Sequence, residues 1–243
     1  MNKSLSIFFP CYNDGGSIAS MVVMADIVAR ELSNDYEIIV IDDGSSDHSL
    51  EVLNELKSKY SKLRVIQHEK NKGYGATLRD GFKNASKELV FYTDGDAQYD
   101  VRELKELWLS MSDDTDIVNG FKIKRHDPFN RMVIGLAYQH LVKAAFALKI
   151  RDVDCDFRLI RRSVFDHLEL KNNSGVICIE MIKKMQNAGF RFKEVGTHHF
   201  YRSYGRSQIF NYKRIINIAF RLLVLWFELI VFQEGRGCGK KTG

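Results

Sequence analysis

Residues 89–98 read Leu-Val-Phe-Tyr-Thr-Asp-Gly-Asp-Ala-Gln, five apolar or β-branched residues running into two carboxylates one residue apart. The first five predict a buried strand, and Asp94-Gly95-Asp96 a turn leaving it. Working outward, short apolar runs alternate with helix-length amphipathic segments. Strands are expected at 5–9, 37–41, 64–67 and 116–119, and helices at 17–33, 47–59, 75–84 and 101–112, with Ser17 as an N-cap. This β-α-β-α order implies an α/β fold with a mostly parallel, Rossmann-like sheet and helices on both faces. Beyond residue 120 the regularity weakens. Helices are expected at 132–149 and 174–189, strands at 157–160 and 191–200, and a last helix at 212–233.

In open α/β sheets ligands bind outside the carboxyl ends of the strands, and the polar clusters lie there. The first strand ends in Pro10-Cys11-Tyr12-Asn13-Asp14, the second in Asp42-Asp43-Gly44-Ser45-Ser46-Asp47, the fourth in Asp94-Gly95-Asp96-Ala97-Gln98. Carboxylates gathered on one rim repel unless a cation lies among them, and hard oxygen donors suit Mg²⁺ or Mn²⁺. A metal on Asp94 and Asp96 would bridge two phosphates and neutralise a departing diphosphate. Gly95 would let the backbone approach a ligand closely.

Charge is unevenly spread. Residues 191–243 carry ten Lys/Arg against three Asp/Glu, while the whole chain is only +5, so the remainder is slightly negative. A basic end implies an anionic partner: phosphate, membrane surface or nucleic acid. A nucleic-acid module would leave three acidic loops unexplained, so no nucleic-acid partner is expected. A nucleotidyltransferase would need a basic residue in the first glycine loop, and Pro10–Ser17 has none. The four cysteines form no CxxC pair and read as reduced thiols. The strand beginning at residue 5 argues against a signal peptide. The tail 234–243 resembles a phosphate loop superficially, but Glu234 stands where glycine is required.

The segments FFPCYND, VIDDGSSD, NKGYGATLRDGF and YTDGDAQYD resemble the inverting nucleotide-diphospho-sugar transferases with the GT-A fold, glycosyltransferase family 2. DVDCDFRLIRRSVF and HHFYRSYGRSQI resemble its polyprenyl-phosphate branch, which includes dolichyl-phosphate mannosyltransferases. The resemblance spans residues 4–210. It implies a catalytic domain over 1–210, with a nucleotide-sugar half at 1–120 and an acceptor half at 121–210. By position, Pro10, Tyr12, Asp14, Ile41 and Asp43 would hold the donor's base and ribose, with Asp42 supporting that loop. Lys72, Gly73 and Gly75 would lie over the nucleotide. Asp94, Asp96 and Gln98 would sit at the metal. Arg202 would grip phosphate near the metal, joined by Arg125, Arg131, Arg158 and Arg206, with Lys122 and Lys124 as further cations. Asp156 would be a general base for a sugar hydroxyl, or would orient a phosphate acceptor or balance Arg158; Asp154 stands beside it.

The expected reaction is inverting transfer of a hexose from a nucleotide sugar to a polyprenyl phosphate; the alternative acceptor is a carbohydrate or cell-surface polymer. In the last helix Arg214, Asn217, Arg221 and Glu228 share one stripe and the rest is apolar. Arg221 and Glu228 make it a poor spanning helix. It would lie in a membrane interface, pack on a partner subunit or oligomer, or pack on its own domain. The resulting expectation is a cytoplasmic enzyme attached peripherally to a membrane through 211–233, followed by a basic tail at 234–243.

Overall fold

The computed structural model describes residues 3–125, 129–202, 204 and 212–232, with side chains at 3–123, 135–202, 204 and 216–232. Four parallel strands form one half of the sheet: β1 (Leu5–Cys11), β2 (Tyr36–Asp42), β3 (Leu63–Gln67) and β4 (Leu89–Thr93). They are linked by α1 (Ile18–Leu32), α2 (Ser49–Lys59) and α3 (Tyr74–Asn84). A 3-10 turn at Val101–Glu103 and α4 (Leu104–Ser110) lead to β5 (Ile117–Arg125). Then come α5 (Phe129–Phe146), β6 (Phe157–Arg161), α6 (Ile177–Asn187), β7 (Phe192–His199) and α7 (Tyr212–Trp226), which ends in a π turn at Phe227–Val231.

The seven strands lie in the order β3-β2-β1-β4-β6-β5-β7. Side chains alternate across the sheet, as strand geometry requires. Ile7, Phe9, Ile38, Val40, Leu89 and Phe91 enter the core shared with α1 and α4. Phe8, Ile39, Ile41, Val90 and Tyr92 enter the opposite core, with Leu78 of α3 and Met181 of α6. Every residue of β1 and β4 is buried, as expected of central strands with helices on both sides.

One strand breaks the parallel pattern. β6 runs antiparallel to both β4 and β5, with Thr93 opposite Phe157 and Tyr92 opposite Arg158. β6 therefore begins on the edge where β4 ends, which puts Asp156 beside Asp94.

The last helix packs on its own domain. Leu225 and Leu229, with Ile218, Leu222 and Trp226 partly buried, join Val142, Phe146, Ile179 and Ile182 in a third core. The Trp226 indole donates to the Ala145 carbonyl at 2.8 Å. A second apolar stripe, Ile216, Phe220, Leu223, Phe227 and Val231, stays exposed. The polar stripe is not simply solvated: Asn217, Arg221 and Glu228 wall a groove of about 420 Å³ against Lys171, Asn172 and Asn173. Among the described residues no helix is long and apolar enough to cross a membrane. The tail 234–243 lies outside the described residues.

Candidate active site

Three loops meet at the carboxyl edge of β1, β2 and β4, held together mainly by hydrogen bonds between side chains and backbone. Gly95 N donates to the Pro10 carbonyl at 3.2 Å, and the Ser17 hydroxyl donates to the Gly95 carbonyl at 2.8 Å. Ser17 occupies the N-cap position but makes no side-chain cap to its own helix; it bridges two loops instead. A Cβ on Gly95 would lie 2.9 Å from the Pro10 oxygen, so this glycine permits a close approach to β1. Asn13, at φ +58°, accepts from the amides of Ser46 and Asp47, joining the first loop to the second. Ala97, directly after the two carboxylates, also sits at φ +58°. Two non-glycine residues in this region mark loops whose shape is imposed by their surroundings.

A cavity of about 120 Å³ opens here, lined by Pro10, Tyr12, Asp14, Asp43, Tyr74, Asp94, Gly95, Asp96 and Arg202, with Cys11 and Thr77. Tyr12 presents an exposed ring, a surface on which a base can stack. Both oxygens of Asp43 are engaged by the loop: Oδ1 accepts from the Lys72 amide at 2.8 Å and Oδ2 from the Gly73 amide at 3.0 Å. Lys72 contributes this backbone donor, while its half-exposed ammonium lies 3.9 Å from Asp80. Gly73 (φ +97°) and Gly75 allow the loop to press on the Asn172 and Asn173 carbonyls, where any Cβ would clash.

The carboxylates are electrostatically frustrated. Asp94 is pushed well above the usual carboxylate range by burial, then by Asp156 and Asp96; the Tyr74 hydroxyl, donating at 2.7 Å, opposes this. Asp14 is raised to about 6, chiefly by burial; the Tyr12 amide opposes the rise and Asp96 adds to it. Its Oδ1 is buried without a hydrogen-bond partner. A buried oxygen that accepts no hydrogen bond, among mutually repelling carboxylates, fits a divalent cation. Among the described residues no group of three or more His, Cys, Asp or Glu is arranged to hold a metal. Asp94 and Asp96 would therefore share it with phosphate oxygens and water, the usual habit of Mg²⁺.

The acceptor half places its residues less evenly. The Gln98 amide donates to Asp96 Oδ1 at 3.0 Å, its side-chain amide donates to the Phe200 carbonyl at 3.2 Å, and the Phe200 amide returns a bond to the Gln98 carbonyl at 2.8 Å. Glu103 accepts from the His198 amide at 2.9 Å and faces the His198 ring at 2.7 Å. These ties deliver Arg202 to Asp96.

Several expectations are corrected. Arg158 does not face a phosphate: it is 0% exposed, donating to Asn119 Oδ1 at 2.6 Å, the Val153 carbonyl at 2.6 Å, Asp156 Oδ1 at 2.9 Å and the Tyr92 hydroxyl. Its strand faces the interior on both sides. Lys122 donates to the Asp154 carbonyl at 2.7 Å and lies 3.8 Å from Asp152, so it ties down the 152–156 loop. Ile41 is a core residue of the β2 face toward α3. Asp42, expected to support the donor loop, is fully buried and does not line the cavity. Arg125 and Arg131 have side chains outside those described, as does Lys124, and Arg206 lies outside the described residues.

Asp156 immediately precedes β6 and lies beside Asp94. Its Oδ1 takes Arg158, the Tyr92 hydroxyl at 3.3 Å and the Cys178 thiol at 3.1 Å. Its Oδ2 carries no partner among the described residues, and the side chain is 16% exposed. Two site residues were missed by sequence reasoning. Tyr74 was passed over inside the glycine-rich loop. His68 follows β3 with no motif around it.

The Glycosyl transferase family 2 model matches residues 6–169 of the chain. Among solved structures the chain is similar to glucosyl-3-phosphoglycerate synthase from Mycobacterium tuberculosis. In the complex with Mn²⁺, UDP and phosphoglyceric acid, identity is 16% over 93% of this chain and 78% of that one, with a TM-score of 0.68. In the complex with Mg²⁺ and UDP, identity is 13% over 93% and 79%, again with a TM-score of 0.68. At these identities the likeness shows a shared fold.

Proposed function

Because this chain belongs to glycosyl transferase family 2, we propose that it is an inverting, metal-dependent hexosyltransferase that uses a nucleoside-diphosphate sugar and acts on a hydroxyl of a carbohydrate or cell-surface polymer. The observation that carries the acceptor assignment is the Asp156 carboxylate: one oxygen is anchored by Arg158 and the other is open beside Asp94. A hydroxyl acceptor needs a base, and a base needs a fixed carboxylate with a free oxygen. The similar synthase was crystallised with phosphoglyceric acid and with UDP-glucose, which supports an acceptor other than a lipid.

In this reading Tyr12 stacks on the base and Asp43 takes a donor hydroxyl or ring N–H. Asp14 lines the pocket beside the diphosphate. Asp94 and Asp96 hold Mg²⁺ or Mn²⁺, which supplies charge neutralisation on the diphosphate when bound. Gln98 holds the Phe200 segment, and Arg202 pairs with phosphate oxygens as the diphosphate leaves. Asp156 accepts the acceptor's proton at Oδ2, on the side of the sugar opposite the diphosphate, which gives inversion by a single displacement.

A second reading, transfer to a polyprenyl phosphate at a cytoplasmic membrane face, is favoured by the exposed apolar stripe of α7. A phosphate is already anionic and needs little help from a base. One experiment separates the two. Labelled nucleotide sugars are incubated with Mg²⁺ or Mn²⁺ and either oligosaccharides or polyprenyl phosphate, with Asp96→Ala as control. Label in a water-soluble glycan supports the first reading; label in the organic phase supports the second. No transfer or donor hydrolysis from any nucleotide sugar would overturn both.

A further inference from the structure

We propose that His68 is a positioning residue for the donor nucleotide, acting as a crossbar that holds the 69–73 loop in its binding shape. The inference rests on the reading of the cavity as a nucleotide-sugar site. His68 follows β3 and is 3% exposed. Its Nδ1 lies 2.7 Å from Asp43 Oδ1 and its Nε2 lies 2.8 Å from Asp80 Oδ2. Each ring nitrogen thus meets a carboxylate oxygen within hydrogen-bond distance, so the ring links two acidic side chains on different elements.

The crossbar spans the two elements that flank the loop. Asp43 belongs to the loop after β2, and Asp80 to α3. The charged groups facing this arrangement are Asp43, Asp80 and the Lys72 ammonium, 3.9 Å from Asp80. The His68 amide is tied to the Asp42 carbonyl at 2.8 Å, so the ring cannot drift from its strand. Asp43 passes the constraint on, since Lys72 and Gly73 donate their amides to it. The next residue, Tyr74, donates to Asp94 Oδ1. A single buried ring thus sets both the wall of the nucleotide cavity and the partner of the first carboxylate of the metal motif. His68 touches neither cavity nor metal motif itself.

The test uses calorimetric binding of UDP, GDP and dTDP with Mg²⁺ to wild type and His68→Gln, alongside thermal unfolding and steady-state kinetics. His68→Gln binds the accepted diphosphate about tenfold more weakly, the loss of roughly one charge-assisted hydrogen bond. Donor KM rises more than kcat falls. Should His68→Gln fail to fold, Asp80→Asn keeps an acceptor on a partly exposed side chain while weakening its hold on the ring, and loses affinity in the same direction. A variant that is only less heat-stable, with wild-type affinity and donor KM, overturns the His68 assignment alone. Wild type binding none of the three diphosphates overturns the reading of the cavity, and the crossbar with it.

Discussion

Arg202 Nη2 donates to Asp96 Oδ2 across 2.5 Å, and its Nη1 lies 3.9 Å from Asp14 Oδ1. A side-chain cation thus sits against the carboxylate proposed for the metal, with 30% of its side chain exposed. A divalent cation held by Asp94 and Asp96 would compete with the guanidinium for Asp96 and would leave Arg202 available to a diphosphate. Arg202→Ala is expected to bind Mn²⁺ about three- to tenfold more tightly in the absence of nucleotide, the discounted worth of a partly exposed ion pair. The same variant should lose about 10²-fold in kcat, the usual cost of one donor aimed at developing charge. Titrating Mn²⁺ by its free-ion spin-resonance signal checks the first half. Unchanged metal affinity would mean that the pair does not gate the metal.

Asp156→Asn separates a base from an orienting group. Asparagine keeps an oxygen for Arg158 and Cys178 but cannot take a proton. With a hydroxyl acceptor, kcat should fall about 10²- to 10⁴-fold while donor hydrolysis in water and donor KM change little. With a phosphate acceptor the loss stays within about tenfold. Single-turnover rates with saturating donor read this directly.

How much of this was legible follows from what each residue's role depends on. Asp94 and Asp96 announce themselves because an apolar strand and an acidic turn are local patterns, and β4 spans Leu89–Thr93 as expected. Arg158 could not be sorted in advance. The residue type suits a phosphate equally well, and only the antiparallel pairing of β6 with β4 and β5 shows that both its faces are covered. The same pairing brings Asp156 to Asp94 across 62 residues of chain, a distance no motif records. His68 and Tyr74 were invisible for a related reason: their partners are Asp43, Asp80 and Asp94, on other elements. The last helix was ambiguous because it has two apolar faces, and composition does not say which one the domain takes.

Asp154 carries a pH-dependent cost. Burial raises its carboxyl from an ordinary 3.8 to about 6; Lys122 opposes the rise, and Asp152 and Asp156 add to it. The folded state favours the neutral acid, so its contribution to stability is fully present below about pH 4 and is lost as pH rises through about 6. Asp154→Asn removes that loss. The variant should match wild type near pH 4 and exceed it by about 1–3 kcal/mol at pH 7.5, from roughly 1.4 kcal/mol per pKa unit. Urea denaturation at the two pH values checks it, and parallel profiles for the two proteins would sink it.

The two apolar faces of α7 make opposite predictions. Leu225 is 1% exposed within the core formed with α5 and α6, so Leu225→Ala should cost about 2–5 kcal/mol by opening a cavity. Phe220 and Phe227, 65% and 43% exposed, contribute little to that core. Phe220→Ser with Phe227→Ser should move stability by no more than about 0.5 kcal/mol per site. Their effect should appear instead in co-sedimentation with vesicles containing anionic lipid, because burying an aromatic pair in the interface is the main apolar gain the stripe offers. Vesicle binding that drops at least tenfold in the double variant, with its melting temperature unchanged, assigns the outer face to a membrane and strengthens the lipid-phosphate reading. Wild type that stays in the supernatant at every lipid concentration removes the membrane from the account and leaves a soluble glycan as the acceptor.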